Sequence, residues 1–122
     1  MAVDDLGALS IDELIGRYQR VASKHGEAAH GPDASVANSD ADMIAAVYRE
    51  LRRRSAERTL LVLLESPDLG VRSWAAAHAM EFAPDQGEPV LTALSESGVA
   101  GPIRLGAEMT LREWRAGRLR FP

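Results

Sequence analysis

The chain has no cysteine among its 122 residues. That removes a disulfide framework, thiolate zinc ligation and a cysteine nucleophile together. No apolar run approaches the ~20 residues that a membrane-crossing helix needs. The first residues, Met1-Ala-Val-Asp-Asp5, lack the basic-then-apolar order of a secretory signal. The expected address is therefore cytoplasmic, with no membrane partner. Lysine is nearly absent, Lys24 being the single one beside thirteen arginines. What remains is ordinary for a globular domain: 46% apolar residues can fill a small core and 26% charged residues can cover it. This excludes a disordered or collagen-like chain, and the length fits one domain over residues 1–122.

The net charge of −4 averages over blocks of opposite sign. Residues 1–48 and 59–102 each carry −5, whereas 49–58 and 103–122 each carry +3 through five arginines apiece. Guanidinium forks suit carboxylate or phosphate, so these blocks are candidates for an acidic partner or a nucleic acid. The ordinary alternative is that they offset the acidic blocks within the fold or stay solvated. An acidic whole disfavours tight duplex binding, in which phosphate neutralisation supplies much of the affinity.

Apolar positions recur at helical spacing, and no period-two alternation stands out. Ser10 and Glu13 form a capping box for a first helix beginning at Ile11, with Ile11, Leu14, Ile15, Tyr18, Val21 and Ala22 turned inward. Residues 24–39, with Gly26, Gly31 and Pro32, are expected to be a long mobile loop, part of which extends the first helix. Ser39 is expected to cap a second helix from Asp40, with Asp42 in its first turn and Met43, Ile44, Val47, Tyr48 and Leu51 on one face. Ala56–Glu65 reads as a third helix that Pro67 stops. The fourth, about Leu69–Phe82, carries a stripe of Val71, Trp74, Ala75, His78, Ala79 and Phe82. Pro84 opens a fifth that Gly98 ends. Pro102 lies in the first turn of a sixth, which buries Ile103, Ala107, Thr110, Leu111 and Trp114 and stops at Gly117.

A shift of 32 residues overlays the fourth helix on the sixth: Val71-Arg72 on Ile103-Arg104, Ala75 on Ala107, Ala79 on Leu111, Phe82 on Trp114. Each follows a leucine-bearing helix. Helix pairs at a fixed period indicate a solenoid, whose units bury their apolar sides only by stacking. The segment from Leu61 to Met80, with its leucine-rich first helix, Asp-bearing turn, Val71-Arg72 opening and alanines, resembles a HEAT repeat. More broadly, Met43–Leu119 is similar to a bacterial family of short HEAT-like proteins known only as a domain of unknown function. The resemblance implies an all-α fold, a short right-handed HEAT-like α-solenoid of about three helix pairs, and implies no activity. The first forty residues fall outside its pattern.

Few constellations suggest chemistry. His78 falls on the inward stripe, where a core imidazole bonded to a backbone or hydroxyl partner is the ordinary role. With Glu81 it also makes an i, i+3 pair able to supply two metal ligands, but a site needs a third and usually a fourth. His25 and His30 sit in the expected loop. No Gly-x-Ser-x-Gly turn and no phosphate loop occur. Paired acids such as Asp12-Glu13 fit helix starts better than acid–base work. The sequence therefore leads us to expect no catalytic residue, no cofactor and no metal. Trp74 and Trp114 read as core anchors, with an exposed edge as the functional alternative. If the second helix of each pair lines the inner curve, Arg49, Arg53, Arg72, Arg104, Glu108 and Arg112 share one face. The expected function is a non-enzymatic protein-binding module gripping its partner there, in its sharper form an immunity protein that inhibits a bacterial toxin. The alternative is a nucleic-acid-binding HEAT-like protein using the same arginines. Oligomeric state is left open.

Overall fold

The computed structural model describes residues 3–28, 34–96 and 101–121, with side chains over 6–24, 39–96 and 101–121. Two 3₁₀ segments, η1 (Val3–Ala8) and η2 (Glu57–Glu65), accompany five α-helices: α1 (Ile11–Ala28), α2 (Ala34–Arg53), α3 (Leu69–Ala79), α4 (Pro84–Glu96) and α5 (Gly101–Arg115). No strand occurs among the described residues, and the chain is all-α there.

The helix ends follow local chemistry. The Ser10 amide donates to Glu13 Oε1 at 2.9 Å, and the Glu13 amide donates to Ser10 Oγ at 3.1 Å, the reciprocal box expected at the start of α1. Those bonds hold the Glu13 carboxyl below its ordinary range. At the far end of the fold, Gly117 adopts φ 73°. Its amide donates to the Trp114 carbonyl, and that of Arg118 to the Glu113 carbonyl. This is a Schellman stop, at the residue expected to end the last helix.

Three expectations need correction. The loop over 24–39 is much shorter, because α1 continues to Ala28 and α2 already begins at Ala34. A single Gly26 costs a helix only ~1 kcal/mol, and the stronger breakers, Gly31 and Pro32, concentrate in a few residues that lie outside the described ones, as does His30. Ser39 is consequently interior to α2 and caps nothing. The third correction concerns residues 57–65, which wind as 3₁₀ and not as α-helix. Every third residue then shares a face. Leu60 and Leu63 are buried, Leu61 and Leu64 half-buried, and Thr59, Val62 and Glu65 exposed. The stop expected at Gly98 also lies outside the described residues.

Packing centres on α3. Its main neighbours are η2, α4 and α1, with α5 on a further side. Gly70 makes the α1 approach possible: a Cβ there would lie 2.6 Å from the Ala22 carbonyl oxygen. Ser23 on α1 donates to Asp68 Oδ2 at 2.6 Å, and Asp68 Oδ1 accepts from the Val71 amide at 3.0 Å. Burial pushes the Asp68 carboxyl up, but the bonds from Ser23, Val71 and Gly70 outweigh it and leave the group lowered. The buried apolar residues form two clusters. One unites Leu14, Tyr18, Ile44, Val47, Tyr48, Leu51, Leu60, Leu63, Val71 and Ala75; the other unites Ala76, Met80, Leu91, Leu94, Ala107 and Leu111. The helix α3 is the wall between them, which is why Ala75 to Ala79 are all buried and no single stripe describes it.

Candidate functional site

His78 sits at the middle of the first cluster, 1% exposed. Tyr18 and its Nδ1 share a hydrogen bond of 2.7 Å, the hydroxyl partner that a core histidine calls for. Tyr48 stacks on the ring, centroids 3.9 Å apart and planes 11° from parallel, and Phe121 meets its edge at 4.6 Å. Burial, with a smaller contribution from the Arg52 charge, lowers the imidazole pKa to about 3. Burial raises the Tyr18 phenol, and the neighbouring Tyr48 adds to the rise. The pocket is thus set for neutral side chains. The i, i+3 pairing with Glu81 does not make a ligand pair. Glu81 turns away and accepts from Tyr48 Oη at 2.6 Å, from Arg52 Nη1 at 3.2 Å and from the Phe121 amide at 3.2 Å. Burial and the Glu81 bond push the Tyr48 phenol above its usual value. Among the described residues no group of three or more His, Cys, Asp or Glu could hold a metal ion. No helix there is long and apolar enough to cross a membrane.

The arginine blocks divide by role. Arg54 donates to the carbonyls of Leu9 at 2.7 Å, Leu6 at 3.0 Å and Gly7 at 3.2 Å, fastening η1 to the end of α2. Its Nε also bonds Glu50 at 2.7 Å. Glu50 takes Arg53 as well, and the bonds from Arg53 and then Arg54 hold its carboxyl at about 2. Arg52 spans Glu81 and the Phe121 carbonyl. Much of the block over 49–58 therefore braces the fold. Arg72 likewise reaches the turn before its own helix, donating to the Ser66 carbonyl at 3.0 Å.

The six residues expected on one face fall on three helices. Arg49 and Arg53 lie on α2, whose principal neighbours are α1, η1 and η2, whereas α3 packs mainly against α4, η2 and α1. The half-buried Arg72 is on α3. Arg104, Glu108 and Arg112 follow one another at single-turn intervals on α5, with Arg104 and Arg112 exposed, and Glu108 and Arg112 share a shallow groove with Ser95 and Arg115. Two further residues on this helix lie off its periodic stripe. Leu105 is 53% and Met109 52% exposed, one turn apart on the side opposite Ala107 and Leu111. Pro102 and Gly106 connect that side to a cleft of about 200 Å³ between α3 and α5, lined also by Trp74, Leu91 and Ile103. The signal for the pair was available: two large apolar residues off the buried stripe of an otherwise regular amphipathic helix.

The chain is similar to the crystal structure of the protein RPA1889 from Rhodopseudomonas palustris CGA009, at 25% sequence identity and a TM-score of 0.87, over 95% of this chain and 97% of that one. No curated protein matches it. Residues 12–114 match a domain of unknown function, DUF2019. That span takes in α1 nearly from its start and all but the last residue of α5, so the chain belongs to the DUF2019 family.

Proposed function

We propose that the protein is a non-enzymatic protein-binding module, a short right-handed HEAT-like stack of three helix pairs (α1–α2, η2–α3, α4–α5) that meets its partner with the outward side of α5. One observation carries this reading: Leu105 and Met109 stand more than half exposed between Arg104 and Arg112. Methionine and arginine are enriched in protein interfaces, and an apolar centre with a charged rim is their common anatomy. The positive balance of residues 103–122 selects a partner whose own apolar patch is edged by carboxylates. Neutralisation of a bacterial toxin is the narrower form of the same role, with the toxin as that acidic partner. It rests on analogy with other small helical inhibitors.

A photo-crosslinking residue placed at Met109, with Gln19 on the exposed side of α1 as control, tests the reading in cells that make the protein. The expected result is one discrete protein adduct at position 109 and none at 19, lost on Leu105→Glu or Arg112→Glu while the helical circular dichroism is retained. Equal labelling at both positions rejects it. Adducts to nucleic acid, with salt-steep binding of a DNA probe that Arg104→Glu abolishes, would instead support the alternative.

A further inference from the structure

After the stop at Gly117 the chain does not leave the molecule. It runs back across the end of α3, with Leu119 packed beside Trp114 in the second core cluster and Phe121 against the first. Arg118 and Arg120 remain exposed. Phe121 is held firmly for a residue outside regular structure. Its amide donates to Glu81 Oε2 at 3.2 Å, and its carbonyl accepts from Arg52 Nη1 at 3.1 Å. Its ring makes edge contacts with His78 at 4.6 Å and Tyr48 at 5.9 Å, the planes 66° and 77° apart. Arg52 and Glu81 are themselves bonded to each other, and Tyr48 fixes the same carboxylate through its other oxygen, Oε1.

The pattern is that of peptide recognition. Both main-chain groups of one residue are read by a fixed acid–base pair, and its side chain enters an aromatic seat prepared by buried neighbours. The clamp is indifferent to sequence except for the ring. We infer that this seat is a binding site for an extended peptide segment of another protein carrying an aromatic residue, and that the chain's own tail occupies it in the free molecule. Tail and partner segment exclude each other, so binding requires release of Leu119 and Phe121. Residues 118–121 have no regular structure, which makes such a release local and leaves the helices in place. The site lies apart from the α5 side proposed above and does not depend on it.

A fluorescent peptide of sequence Gly-Arg-Leu-Arg-Phe-Pro, added to the Phe121→Ala chain, provides the test. Saturable binding at least tenfold tighter than to the unaltered chain is expected, with a change in emission from Trp74, whose ring centroid lies 5.7 Å from His78. Affinity should vanish for the peptide with Ala in place of Phe. It should fall markedly when the Phe nitrogen is methylated, since that removes the proton offered to Glu81. If Phe121→Ala loses its helical signal, Leu119→Gly is read in its place, because it frees the other tail anchor and keeps the first cluster intact. A folded variant that binds no peptide, or binds the Phe and Ala peptides alike, overturns the inference.

Discussion

The imidazole of His78 lies flat against the phenol ring of Tyr48, centroids 3.9 Å apart. This stack joins α2 to α3 at the centre of the larger core cluster. Burial keeps the imidazole uncharged, and the Arg52 guanidinium, 5.2 Å from the centroid of the Tyr48 ring, contributes a smaller share.

Stability should accordingly fall as solutions are acidified. His78 has a folded pKa of about 3, below the ~6.5 of an unfolded histidine. Between these values the unfolded chain binds the extra proton, so the group's contribution is complete above pH ~6.5 and declines toward pH 3 at ~1.4 kcal/mol per pH unit. Glu50, held at about 2 by Arg53 and Arg54, acts with the same sign but only below pH ~4.5. Urea unfolding at pH 7, 6 and 5 therefore isolates the histidine. The unaltered protein should lose well over 1 kcal/mol more than His78→Gln across that range. Parallel losses would show that His78 titrates normally.

Helices α2 and α5 stop in the same way with different residues. The Ser55 amide donates to the Arg52 carbonyl at 3.0 Å and the Ala56 amide to the Leu51 carbonyl at 2.8 Å, and Ser55 has φ 56°. Gly117 occupies the equivalent position with φ 73°. A left-handed conformation costs an ordinary L-residue ~1–2 kcal/mol, offset in part by the greater chain entropy that glycine loses on folding. Ser55→Gly should raise stability by ~0.5–1 kcal/mol and Gly117→Ser should lower it by a similar amount. Thermal denaturation of the two variants checks both signs; a loss at position 55 would mean that the serine side chain compensates for its backbone.

What the sequence disclosed was local. The Ser10–Glu13 box, the stop at Gly117 and most of the stripes of α1 and α5 depend on neighbours within four residues and are present, although Ile11, expected to turn inward on α1, is 37% exposed. Residues 57–65 suggest an α-helix in sequence because four leucines in five positions suit either winding, and only the packing against α3 separates a period of three from 3.6. The partnership of α1 with α3 was invisible for a related reason. It rests on Gly70 meeting the Ala22 carbonyl, a contact between residues 48 apart. Arg54 and Arg49 look alike in sequence, yet one fastens three carbonyls and the other is exposed. A partial signal existed, since Glu50 stands three and four residues before Arg53 and Arg54, the spacing of helical ion pairs. For Phe121, beyond the last helix stop, no periodicity applied.

Two helical glycines should respond oppositely to alanine. At Gly70 an added methyl would sit 2.6 Å from the backbone oxygen of Ala22, 3.2 Å from Asp68 Oδ1 and 3.4 Å from the Ala22 carbonyl carbon. Backbone cannot swing aside as a side chain can, so α1 and α3 must part, at a cost of ~1–3 kcal/mol typical of overpacking. The separation would also strain the Ser23–Asp68 and Tyr18–His78 bonds, both of which cross the same α1–α3 boundary. At Gly106, within α5, the added methyl meets nothing within 4 Å. There alanine brings only its better helix propensity, and a gain of ~0.5–1 kcal/mol follows. Chemical denaturation of Gly70→Ala and Gly106→Ala gives the comparison. If Gly70→Ala were as stable as the parent, the tight approach of α1 to α3 described for this fold would be wrong, whatever the result at Gly106.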